Sequence, residues 1–329
     1  MRIVVIGATG HVGGYLVPQL VERGHDVVAV SRGQAAPYRD DPAWVRVERV
    51  IADRAAEDAA GTFATRIADL GADVVVDLIC FTEDSARQLV EALRGRVRQL
   101  VHIGTIWTHG TLTEVPATED APKHPWGDYG VRKAAIERLL LAESRTEGGL
   151  PVAIVHPGHI SGPGWRVIGP QGTLDLDVWR RLATGREVLL PGFGLETLHH
   201  VHAEDVAQLI RLCLEQPAAA NGEAFHAVSP RALTVRGFAE AAAEWFGRDA
   251  NLRFTSFEEF EASLPEEHRE AALAHLSRSH AMSIEKGRRL LGYAPEHGSL
   301  ATVAEAVERL RQDGVLGDGI PPVRFAATA

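Results

Sequence analysis

Residues 2–20, RIVVIGATGHVGGYLVPQL, decide the fold. The β-branched run RIVVI leads into a glycine-rich turn, and apolar residues at helical spacing follow. A second β-branched run, HDVVAV at 25–30, comes next. Strand, glycine turn, helix and strand make a βαβ unit. Gly7, Gly10 and Gly13 are spaced GxxGxxG. The first permits a tight turn, the second lets the backbone approach a pyrophosphate, and the third allows close helix–strand packing. The helix N-terminus then offers free N–H groups and a positive dipole end to the phosphates. The stretch therefore predicts a dinucleotide site built from Gly7, Thr9, Gly10, His11, Val12 and Gly13.

The second strand ends AVSRG. An NAD-preferring site usually places Asp or Glu there, on the ribose hydroxyls. Ser31 and Arg32 instead offer a hydroxyl and a guanidinium, which suit a 2′-phosphate. NADP is the expected cofactor, with NAD as the alternative. Strands at 45–53, 73–79, 98–104 and 150–158 alternate with helices at 59–70, 84–93 and from Tyr129 to about 142. That order predicts an α/β fold, a doubly wound parallel sheet of the Rossmann type. After residue 158 the texture changes to a Gly/Pro-rich loop, a helix at 175–183, the amphipathic helix in VHAEDVAQLIRLCLEQ and a strand in GEAFHAV. A helix at 235–246, capped by Thr234, and short helices follow. The expected division is a dinucleotide domain at 1–160 and 195–228, with a smaller mixed α/β substrate lobe at 161–194 and 229–329.

Bulk properties narrow the partners. Of 329 residues, 44 are acidic and 34 are Lys or Arg, giving a net charge of −10. An acidic chain without a basic run repels phosphate backbones, so no nucleic acid is expected. The N-terminus lacks signal-peptide anatomy and no apolar window is long enough for a span, so no membrane is expected and the reading is cytoplasmic. Cys80 and Cys213 lie in apolar runs and read as buried free thiols in a reducing compartment.

The chemistry centres on WGDYGVRKAAIE, residues 126–137. Tyr129 and Lys133, four apart, share a helix face. That helix follows the strand RQLVHIG, whose C-terminal end carries Thr105. In open α/β sheets ligands sit beyond the strand C-termini, so Thr105 and Tyr129 come from the correct edge. A tyrosine can move a proton at a substrate oxygen, and a neighbouring ammonium would bring its pKa of about 10 toward neutrality. A threonine hydroxyl can hold the oxygen in place.

On these residues the chain resembles the extended short-chain dehydrogenase/reductases, which include the NAD-dependent epimerase/dehydratases. GATGHVGG resembles the family's cofactor loop, and Tyr129 to Lys133 its YxxxK. HPGHISGPG resembles its RPxxxxGP segment, VHAEDVA its HVxDxA and SIEKGRRLLGYAP its C-terminal helix. The resemblance covers most of the chain. It implies hydride transfer with NAD(P), with Thr105, Tyr129 and Lys133 catalytic. It also implies Asp53 at the adenine, with Lys133 and His156 among the cofactor contacts.

Departures from the family pattern bear on the substrate. Nucleotide-sugar epimerases commonly carry an arginine before HVxD that grips a diphosphate; Leu198 stands here. Their frequent Asn after RPx is His159. Arg180, Arg181, Arg186 and Arg278 could replace such contacts, although each reads first as a solvated charge. Trp107, His159, Trp165 and His200 are the expected substrate contacts. Trp126 and Trp179 lie in the same loops and read first as packing. The cluster His199, His200 and His202 raises a metal, but two histidines on one strand face lack a third ligand, so none is expected. The C-terminal half also resembles the family's chloroplast stem-loop-binding branch. The expected function is an NAD(P)-dependent epimerase or ketone reductase acting on a secondary alcohol or ketone of a sugar-like small molecule, nucleotide-sugars included. The alternative is a non-catalytic cofactor-sensing or RNA-associated protein. Dehydration ranks lower, because no Asp-Glu pair lies near Thr105. The apolar helix after Tyr129 suits a homodimer interface as well as an intrachain core.

Overall fold

The β-branched runs align side by side in a seven-stranded, wholly parallel sheet. The computed structural model describes residues 1–325; the last four residues of the expected lobe, 326–329, lie outside them. The strands are β1 (Arg2–Ile6), β2 (Asp26–Ser31), β3 (Glu48–Ile51), β4 (Val74–Asp77), β5 (Gln99–Ile103), β6 (Val152–Pro157), β7 (His159–Ser161), β8 (Val188–Pro191), β9 (Thr197–Leu198), β10 (His200–His202), β11 (Ala224–Ala227), β12 (Leu233–Thr234) and β13 (Leu252–Thr255). The helices are α1 (His11–Glu22), α2 (Arg54–Ala59), α3 (Phe63–Ala68), α4 (Glu83–Leu93), α5 (Gly127–Arg145), α6 (Asp177–Thr184), α7 (Ala203–Glu215), α8 (Pro217–Ala220), α9 (Val235–Trp245), α10 (Phe257–Ser263), α11 (Glu266–Leu276), α12 (Glu285–Leu291) and α13 (Ser299–Gln312).

Sheet order is β3-β2-β1-β4-β5-β6-β11, so the strand order reverses between β1 and β4. Helices cover both faces of the sheet, and β4, β5 and β6 are buried along their whole length. This is why their sequences are near-continuous apolar runs rather than alternating ones. One face packs Leu16, Leu20, Val206 and Ile210 from α1 and α7. The other packs Phe63, Ile67, Leu89, Leu93, Ile136 and Leu140 from α3, α4 and α5. A third apolar cluster gathers Trp179, Val188, Leu190, Phe238, Phe260 and Val303. Phe238 is fully buried at its centre, and its truncation to alanine should cost about 3–5 kcal/mol.

Two local expectations change. The helix expected over 59–70 shortens to α3, because Gly61 at φ +67° turns the chain after a separate helix, α2, that the sequence reading did not expect. The strand expected over 45–53 shortens to β3, preceded by a 3₁₀ turn at Pro42–Arg46 that the Asp41 carboxylate caps. The cap expected of Thr234 is present, its hydroxyl accepting from the Gly237 N–H at 3.2 Å. Both cysteines are buried and free, and burial pushes the Cys80 thiol up to about 11. Among the described residues, no helix is long and apolar enough to cross a membrane.

Candidate active site

The glycine turn works through its backbone. Gly7 sits at φ +84°, where an L side chain is strained. A Cβ on Gly13 would lie 2.1 Å from the Ala8 carbonyl oxygen, so α1 can pack on the turn only without a side chain there. Gly10 precedes α1 and no side chain caps the helix. Its first-turn N–H groups, including those of His11 and Val12, therefore have no side-chain acceptor and remain for an anion.

Beside the turn, at the β1/β4 switch point, opens a cavity of about 620 Å³. Gly7, Thr9, Gly10, Ser31, Arg32 and Asp53 line it, together with Arg54, Phe81 and Ser85, which the sequence reading missed. Asp53 also caps α2, accepting from the Ala56 N–H at 3.2 Å. Arg54 is buried and donates through Nη1 to Asp77 at 2.6 Å. Burial alone would raise Asp77, but the Arg54 guanidinium holds it below the usual carboxylate range. Arg54 Nη2 is buried with no hydrogen-bond partner. An orphaned guanidinium donor in a pocket that also holds Arg32 fits an anionic, phosphate-bearing nucleotide.

Two expected cofactor contacts sit differently. The His11 side chain packs under the Trp165 ring, 5.1 Å away and 6° from parallel, with Tyr38 at 5.0 Å. Burial lowers its pKa to about 3, so it is neutral and only its backbone faces the phosphate position. His156 is buried and bonded at both ring nitrogens, to the Thr105 N–H at 2.9 Å and to Glu137 at 3.2 Å. It has no free nitrogen for a cofactor.

Thr105 lies two residues beyond β5 and caps a 3₁₀ turn, Ile106–His109. Its hydroxyl accepts from the Trp107 N–H at 3.3 Å, which leaves the hydroxyl hydrogen to point elsewhere. Tyr129 lies in the first turn of α5, half-exposed, with its ring 5.6 Å from Trp107 and edge-on to it. Burial of the phenol raises its pKa, and the nearby Thr105 hydroxyl opposes that rise. One turn along, Lys133 is buried, donates to the Ile103 carbonyl at 2.8 Å, and lies 5.1 Å from the Phe81 ring. Burial lowers its pKa to about 8. The expected depression of the Tyr129 pKa by Lys133 is thus not the arrangement found. The ammonium is spent on a strand-end carbonyl, and Thr105 is the polar group that offsets the rise of the phenol's pKa.

The expected substrate contacts separate into three places. Trp107 stands beside Tyr129. His159 reaches it indirectly, through His275, whose ring is 5.0 Å from His159 and 5.1 Å from Trp107. Trp165 covers His11 at the start of α1. His200 is fully buried, donates from Nε2 to the Ile168 carbonyl at 2.9 Å, and packs on Phe238. That burial takes it out of direct reach of a ligand. Arg278, read first as solvated, is instead buried between Trp107 and Trp126, its guanidinium carbon 3.9 and 3.5 Å from their ring centres. It donates to the Trp126 carbonyl at 2.7 Å, and burial lowers its pKa to about 10. His202, His297 and Glu305 bring three ligand-type atoms together. His202 Nδ1 accepts from the Glu204 N–H at 3.0 Å, so Nε2 carries the proton and has no lone pair to give a metal.

A parallel sheet of this order, with a glycine turn and nucleotide-sized cavity at its switch point, defines a dinucleotide-binding α/β enzyme class. The comparisons narrow it. The model of the NAD dependent epimerase/dehydratase family matches residues 3–227, and the chain belongs to that family. A 2'-dehydrokanamycin reductase from Streptomyces kanamyceticus is 28% identical over 251 residues, which is 76% of this chain and 68% of that protein. A UDP-glucose 4-epimerase from Corynebacterium glutamicum is 24% identical, over 93% of this chain and 94% of its own length. The crystal structure of UDP-glucose 4-epimerase with UDP-glucose from Thermotoga maritima shares the fold, with a TM-score of 0.71 at 20% identity. That match covers 95% of this chain and 99% of the other.

Proposed function

We propose that the protein is an NAD(P)-dependent epimerase or ketone reductase acting on a secondary alcohol or ketone of a sugar-like small molecule. The observation that carries this is the meeting of Thr105, just beyond β5, and Tyr129, in the first turn of α5, around Trp107, with Lys133 one helical turn behind. A bound nicotinamide dinucleotide would supply or accept the hydride. Tyr129 would give a proton to the substrate oxygen or take one from it. The Thr105 hydroxyl, held at its lone pair by the Trp107 N–H, would hold that oxygen. Trp107 would wall the site and exclude water from the reacting carbon. The division into a dinucleotide domain (1–160, 195–228) and a substrate lobe (161–194, 229–329) belongs to the same reading.

NADP is the cofactor this reading favours. Ser31 and Arg32 line the nucleotide cavity where an NAD-preferring site places an acid, which favours an additional phosphate. The diphosphate-sugar version is the weaker form, because buried Leu198 stands where such a substrate's arginine is commonly placed. Two assays test the reading. The first quantifies NAD and NADP released from the freshly purified protein. The second follows NADPH-dependent ketone reduction and UDP-glucose/UDP-galactose interconversion. Retained oxidised cofactor with sugar interconversion marks the epimerase. Cofactor exchange with net ketone reduction marks the reductase. Failure to bind either dinucleotide would sink both.

A further inference from the structure

Glu137 follows Tyr129 and Lys133 at four-residue steps on α5, so the three share one helix face. Lys133 ties that face to Ile103, at the end of β5. Glu137 is buried, and a buried carboxylate is costly unless paired and hydrogen-bonded. Its partners are the Lys123 ammonium and His156 Nε2, the latter at 3.2 Å. Burial would raise its pKa, but His156 and Lys123 together hold it well below the usual carboxylate range. His156 Nδ1 accepts from the Thr105 N–H, so its proton is on Nε2 and is donated to Glu137. A Cβ on Gly104 would lie 2.3 Å from that Nδ1, so only glycine lets the end of β5 rest on the imidazole.

Two successive turns of α5 therefore grip the same strand end, one at Ile103 and one at Thr105. We propose that Lys123, Glu137 and His156 are positioning residues, a buried chain that fixes the Thr105 peptide to the Tyr129 helix and so sets where the Thr105 side chain stands relative to the phenol. The proposal rests on the Thr105–Tyr129 reading. Its physical basis is the turn at Thr105. The same residue accepts from the Trp107 N–H through its hydroxyl and donates to His156 through its N–H. Freeing the N–H lets the peptide rotate, and the hydroxyl swings with it.

The test needs no substrate. The protein has four tyrosines, and burial pushes Tyr15 up to about 12 and Tyr293 higher still. Ultraviolet difference titration of each variant, with and without Tyr129→Phe, isolates the Tyr129 phenol. NADPH and NADH dissociation constants are measured on the same proteins by fluorescence. Thr105→Val should raise the phenol midpoint by about half to one pH unit. His156→Phe and the near-isosteric Glu137→Gln should raise it in the same direction. His156→Asn, whose side-chain oxygen can accept the Thr105 N–H, should restore most of the wild-type value. Dinucleotide binding should stay within about twofold in all of them, since none of the three chain members lines the nucleotide cavity. A purely structural chain would lower Tm and leave the phenol unmoved. If Thr105→Val shifts the midpoint but folded His156→Phe and Glu137→Gln do not, the positioning chain is overturned alone. If Thr105→Val itself leaves the midpoint unchanged, the Thr105–Tyr129 reading falls and the chain falls with it.

Discussion

The two ends of the site are made of different material. At the nucleotide end, backbone does the work: a glycine turn, an uncapped helix start and an open cavity. At the Tyr129 end, side chains do it, and they are packed. His109, His156, His159, His226 and His280 are buried there, with Arg278 wedged between two tryptophans. A backbone site is insensitive to most surrounding side chains, whereas a side-chain site depends on every neighbour that holds it. The two ends should therefore fail differently.

The widest difference is expected in acid. Burial holds His109 at about 3 and His199, His200, His275 and His280 at about 4, while unfolded histidine titrates near 6.5. Between these values the unfolded chain binds more protons, so stability is intact above about pH 6.5 and falls as pH drops toward 4. Each such group should cost about 2 kcal/mol by pH 5, and a few of them rival a domain's whole stability. Acid unfolding followed by near-ultraviolet circular dichroism, which reports the tryptophans around Arg278, should begin below pH 6.5. Retention of that signal at pH 4 would contradict the packing described.

Lys133→Met should next lower turnover by about 10²-fold, because freeing α5 from the Ile103 carbonyl misplaces Tyr129, with a smaller effect on dinucleotide affinity. In the wild type, deprotonation of Lys133 near its lowered pKa of about 8 should weaken turnover above that pH. A pH–rate profile flat to pH 10 would remove the ammonium from the account. At the other end, Gly13→Ala forces a Cβ against the Ala8 carbonyl. It should cost about 1–3 kcal/mol of stability, and NADPH affinity should fall with it. The smallest effect is the most selective. Arg32→Asp should weaken NADPH about tenfold, in line with one charge-assisted hydrogen bond, and leave NADH nearly unchanged. Equal loss of both would show that Arg32 does not read a 2′-phosphate.

The same contrast explains what could be read from sequence. GATGHVGG is contiguous, and its physics is local, so the turn, the helix start and the parallel sheet followed directly from it. Tyr129 and Lys133 were found because four-residue spacing is visible in a helix. Glu137 extends that spacing by one more step, and this signal was available but unused. The side chains that hold the Tyr129 end were not legible. Arg278 meets the Trp126 carbonyl across 152 residues, and His156 meets Thr105 across 51. No periodicity encodes such pairs; they exist only once the sheet has closed. The same closure buried His156 and His200 and took them out of the contacts first expected of them.

The central claim is a division of labour, in which one end binds the dinucleotide and Tyr129 at the other moves the proton. Tyr129→Phe separates them most directly, measured as NADPH and NADH dissociation constants beside single-turnover rates on whichever substrate the sugar and ketone assays identify. The account predicts dissociation constants within about twofold of wild type and a rate lowered by about 10²–10⁴-fold. A variant that binds the dinucleotide normally and turns over at the wild-type rate would contradict it.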